Sequence, residues 1–422
     1  MESRMRWTAA VGGTGALLLL ALFLANAVGR GEVGSEVRED VTADADTTTD
    51  DLRGVVVEER DGPQAARAPF FHERVPTNAE LEMEARAEEW WAQYSRRIAR
   101  HVELLIERGD ARSLYHAYLL MPSTDWVDDS RRQDPEYFEA AWTRHLQDSM
   151  DILRLARERA PDDPQLAWLE AMNCHAATAG CDPSAATLDL ARMEPDNARG
   201  ALLALDRAFH AGDMAAVDAW LTRAAQADFY DMGYGAAALE LLTVLEGVPL
   251  PPMDAALRSS LIEGSGLKHD GLTWKAVMSA VSAGGIASAQ AIPPLMGLRQ
   301  TCGAADVTQA RMVACHRVWQ HLADSDTVIA HAIALPQLIQ LTGDPVQRRG
   351  LQERLRHYAW VRDSMIAHAD LTYMLDSWRL GELVAGERLL QRRGITMPAG
   401  WLPDHPIHRS LILTGRPPPP GA

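Results

Sequence analysis

Lysine is almost missing from this chain. Of its 41 basic residues only Lys268 and Lys275 are lysines, and 58 acidic residues outweigh the basic ones for a net charge of −17. An acidic chain with no basic stripe argues against nucleic acid and anionic membrane surfaces as partners. Catalytic signatures are missing too. There is no His-Glu-x-x-His zinc helix, no Gly-x-Ser-x-Gly nucleophile elbow and no phosphate-binding Gly-x4-Gly-Lys-Ser/Thr loop. No span alternates apolar and polar residues as strands do, so the expectation is an all-α protein. Cysteine is scarce. Cys174 and Cys181 stand seven apart and Cys302 and Cys315 thirteen apart, neither with the close spacing of a zinc knuckle. Of the three possible pairings, the two local disulfides are expected.

What is present begins with a targeting segment at residues 1–30. Arg4 and Arg6 precede an uncharged run from Trp7 to Gly29 that is long enough to span a bilayer. Ala25-Asn26-Ala27 equally fits a cleaved signal. Both outcomes place the body outside the cytoplasm, where disulfides form. Residues 31–75 read as an acidic disordered linker: 11 acidic residues face three arginines between Gly31 and Gly62.

From Asn78, expected as an N-cap, the apolar spacing turns helical. Helices are expected to Gly109, around Leu114–Leu120, and over 135–159. Then comes the regular part. Pro161-Asp162-Asp163 recurs as Pro195-Asp196-Asn197, 34 residues on, and a further 34 reaches Phe229-Tyr230-Asp231. Glycines at 180, 212 and 247 lie between, so each unit reads helix, glycine turn, helix, Asp-rich turn. After Pro252 the period blurs. Helices are expected at 306–321, 327–341, 346–371 and 372–393, and a Pro-rich tail over 411–422.

A 34-residue helix–turn–helix period with Pro-Asp-Asn at the junction resembles the tetratricopeptide repeat. The best unit is 198–231, with Gly212-Asp213 at the interhelix turn and Ala201, Ala204, Leu205, Ala208, Val217, Leu221 and Ala224 at packing positions. The resemblance covers about 160–250 and implies a right-handed helical-hairpin solenoid there, within a helical-hairpin repeat region expected over 76–264 and followed by additional C-terminal helices over 265–410. It also implies a concave groove that binds peptides or helices, with Gln165, Trp168, Met172, His175, Arg199, Leu202, Asp206 and Phe209 facing it. The competing account is that these side chains pack against a later helix of the same chain.

Other candidates have plainer explanations. Ser265-Gly266-Leu267-Lys268 has the Ser-x-x-Lys spacing of penicillin-binding enzymes but lacks their other two elements, and reads as a glycine-rich loop. His316, His321 and His331 do not share one helix face, so no metal site is expected. Trp142, Trp168, Trp220 and Trp319 sit at helical spacing and are expected in the core.

The arginine and alanine bias fits a GC-rich bacterium. The expected function is an exported scaffold or adaptor on the periplasmic side of the inner membrane. It would be held by its N-terminal segment, or soluble if that segment is cleaved, and would bind an envelope protein with no cofactor. The alternative is an envelope enzyme acting on cell wall. A buried glutamate with a raised pKa facing a deep cleft favours the enzyme; a shallow groove lined by Trp168, Leu202 and Phe209 favours the adaptor.

Overall fold

The computed structural model describes residues 77–121, 134–174, 180–265, 273–289, 295–303 and 308–418. The targeting segment, the acidic linker, His175 and Lys268 lie outside the described residues. The described chain is all-α. Its helices are α1 (Asn78–Arg108), α2 (Ala111–Leu120), α3 (Pro135–Arg159), α4 (Pro164–Asn173), α5 (Pro183–Met193) and α6 (Ala198–His210). They continue as α7 (Met214–Gln226), α8 (Tyr234–Gly247), α9 (Ala255–Ser265), α10 (Trp274–Ala289), α11 (Met296–Gly303) and α12 (Gln309–Ala323). The last are α13 (Val328–Leu341), α14 (Pro345–Ile366), α15 (Leu371–Leu380), α16 (Glu382–Arg392) and α17 (Pro406–Thr414). No helix among the described residues is long and apolar enough to cross a membrane.

Local chemistry sets where these helices begin. Four start on Asp-Pro: Asp134, Asp163, Asp182 and Asp344 cap with a carboxylate, and the following proline supplies a preset φ where no donor is needed. The first helix is capped one residue earlier than expected. Thr77, not Asn78, is the N-cap, because Glu80 closes a capping box back onto it. The C-terminal helices also divide differently. The expected 346–371 helix ends at Ile366, and Asp370 caps a new start at Leu371. The expected 372–393 helix breaks at Gly381, whose φ of 86° a helix cannot hold. Residues 411–414, expected in the tail, complete α17.

Both expected disulfides are present. Cys174–Cys181 ties the end of α4 to the entry of α5, and Cys302–Cys315 ties α11 to α12. Each has Cα atoms 5.7 Å apart, within the normal range.

Two large apolar cores form, and they do not divide at residue 265. One joins α1–α5 and α8–α10 with Leu371, Met374 and Trp378 of α15. The other joins α6 and α7 with α11–α14, α16 and α17. Helix α6 serves both. Leu203 enters the first core while Ala201, Leu202 and Leu205 enter the second, and every residue from Ala198 to Asp206 is buried. A helix buried all round is interior, not a groove wall.

Candidate functional site

The residues expected to line a groove lie inside the protein. Trp168, Arg199, Leu202 and Asp206 are buried, while Gln165, Met172 and Phe209 are half-buried. Two sets of later helices cover them. Over Trp168 lie Tyr234 and Ala237 of α8 and Ala287 of α10, leaving a cavity of about 20 Å³, room for a single water. Over α6 lies α11: the Asp206 carboxylate accepts from the Gly297 N–H at 2.7 Å. A side chain at 297 would press on the Asp206 and Phe209 carbons, so glycine permits this approach. The open-groove expectation is therefore replaced by the competing account, an interior face packed by the chain's own helices.

Beneath that cover runs a polar seam. Arg199 is 4% exposed, and its Nε donates to Glu194 at 2.6 Å. Its Nη1 donates to Gln165 at 3.3 Å and to the Met232 carbonyl at 3.1 Å, and its guanidinium lies 5.0 Å from the Trp168 ring centre. Asn197 donates to the Asp231 carbonyl and accepts from the Asp231 N–H. The turn at 324–328 joins the same seam. Asp326 is exposed over much of its surface, yet surrounding protein and then Asp231 push its carboxyl upward. One more acid follows. Glu382 accepts from the Val328 N–H at 2.6 Å, and its own N–H donates to the Asp326 carbonyl at 2.8 Å. Burial pushes its carboxyl up to about 7, the Val328 N–H opposes that, and Asp326 adds to it. Its acidity is the kind an acid–base enzyme uses, but its oxygen is committed to a helix N-terminus and none of the described cavities is lined by it.

Nothing in the sequence pointed to Glu382. Its partners at 326 and 328 are 54 or more residues away, so no local spacing carries the signal. Sequence also missed an outer cleft. Helices α1 and α3 border a depression of about 430 Å³ floored by Val102, Ile106, Ala141 and Ile152 and rimmed by Glu103, Tyr137, Arg144 and Asp148. Beside it stand Phe138, 41% exposed, and Trp142, 43% exposed. Trp142 was expected in the core. Trp168 and Trp319 are buried as expected, whereas Trp142 follows the cleft-lining Ala141 on α3 and turns outward.

Among the described residues no group of three His, Cys, Asp or Glu is placed to hold a metal. His321 and His331 are buried separately, and desolvation lowers the pKa of each. Compared with protein families, curated proteins and solved structures, the chain matches none.

Proposed function

We propose that this protein is an exported helical scaffold that docks another envelope protein on the cleft between α1 and α3. The observation that carries this is the exposed Phe138–Trp142 pair beside that cleft. Aromatic anchors next to an apolar floor, with one arginine on a mixed-charge rim, have the composition of an interaction hot spot. Export is supported by the two disulfides, which belong in an oxidising compartment.

The hairpins from α4 to α8 are proposed as right-handed, tetratricopeptide-like units. Asp163, Asn197 and Asp231, 34 residues apart, each accept from the N–H two residues on. The equivalent residues Gln165, Arg199 and Gly233 lie against one another, as stacked repeats require. The adaptor surface then differs from the family's usual one, because the concave side is occupied from within.

Chemical crosslinking in the native host, followed by purification, tests the proposal. Wild-type protein is expected to carry a stoichiometric envelope protein, and Phe138→Ala/Trp142→Ala is expected to lose it at least tenfold while remaining folded by circular dichroism. An unchanged yield from the double variant would contradict the assignment of the face.

A further inference from the structure

We propose that the cleft between α1 and α3 takes one kind of partner, an amphipathic helix flanked by arginine or lysine. This rests on the docking role given to that cleft above and names the chemistry of what docks there.

The shape of the partner follows from what the walls cannot offer. Both walls are helices packed on α2, so their backbone N–H and C=O groups are spent within the helices. An extended peptide laid on Val102, Ile106, Ala141 and Ile152 would strand its own backbone polar groups on an apolar floor. A helix satisfies its backbone internally and meets the floor with one apolar stripe. The α3 wall runs from Tyr137 to Ile152, about 22 Å of helix, which matches a partner of about four turns.

Charge sets the rest. Glu103 and Asp148 stand on the rim, and Asp148 with Arg144 also borders a neighbouring depression walled by Glu136 and Glu139. All four acids are exposed, and none makes an ion pair among the described residues. By contrast, Asp151 of the same α3 is paired with Arg154, and Glu240 of α8 with Arg112. Arg144 alone opposes the four. A surplus of uncompensated negative charge beside an apolar floor complements cationic side chains beside an apolar stripe. The same surplus repels anionic lipid, so a membrane surface is the wrong occupant.

Fluorescence anisotropy of two synthetic helices on the full chain tests this. Both peptides carry the same leucine stripe over about four turns, one flanked by arginine and the other by glutamate. At low salt the arginine peptide is expected to bind at least tenfold more tightly, an advantage that shrinks at about 1 M salt. Glu103→Gln/Asp148→Gln is expected to weaken the arginine peptide about fivefold. Glu353→Gln/Glu387→Gln, the same charge change on α14 and α16, is expected to leave it unchanged. Equal weakening by the two pairs would assign the effect to overall charge and overturn the proposal. Phe138→Ala/Trp142→Ala is expected to weaken both peptides. Equal affinity of the two peptides, lost in that aromatic variant, would overturn the charge assignment and leave the docking cleft standing. An arginine peptide indifferent to the aromatic variant would overturn both. Binding of neither peptide would overturn the helical occupant, with the crosslinking experiment still deciding whether the cleft docks a protein.

Discussion

Replacing Arg199 with methionine lowers the unfolding free energy by about 3–5 kcal/mol, read as a lower urea midpoint with an unchanged slope. Methionine retains the apolar stem, so the loss isolates the guanidinium. That group is 4% exposed and holds Glu194, Gln165, the Met232 carbonyl and the Trp168 ring at once. Removing it leaves the Glu194 carboxylate, itself 18% exposed, without its partner. Breaking one side of a buried pair costs more than the pair contributes net. Adding Glu194→Gln therefore recovers part of the loss, and the double variant falls short of the sum of the singles. A loss under about 1 kcal/mol for Arg199→Met would put this side chain in solvent, where surface pairs belong.

Gly235→Ala is the second large effect, with a loss of about 3 kcal/mol or more. A Cβ at 235 lands on the Trp378 carbonyl oxygen and 3.1 Å from its carbon, both backbone atoms of α15. No side chain can swing aside there, so α8 and α15 must separate. Gly350→Ala in α14 supplies the opposite sign. Nothing lies within 4 Å of its Cβ position and it is exposed, so alanine gains about 0.5–1 kcal/mol from helix propensity. Thermal or urea unfolding of the two variants should move in opposite directions. Equal, small changes would mean that α8 and α15 are not packed this closely.

The parts legible in the sequence were those written in short-range chemistry. Asp-Pro pairs announce helix starts because cap and preset φ act within three residues. The 34-residue recurrence of Asp163, Asn197 and Asp231 marked three side chains that each accept from the N–H two residues on, and the cysteine spacings showed which thiols could reach each other. What covers the expected groove face of α4 and α6 was not legible. Asp206 finds Gly297 across 91 residues, and Gly235 accepts Trp378 from still farther along the chain. Such contacts depend on how distant helices pack, which no local spacing records. The α4 and α6 positions were read as facing a groove, with cover by a later helix as the competing account, because a partner's helix and the chain's own helix ask for the same residues. Trp142 failed for a related reason: helical spacing places it on a stripe, but the neighbouring helix decides whether that stripe is covered. The break at Gly381 had a visible signal, the glycine itself, which stands where 372–393 otherwise looks continuous.

A photo-crosslinking amino acid at position 209 tests the central claim most directly. Phe209 is half-buried beside Gly297, so its Cβ points at α11. The account predicts an intramolecular product joining position 209 to residues 296–303, obtained in cells and in purified protein alike. A product joining position 209 to another protein would mean that this face of α6 is open, and would contradict it.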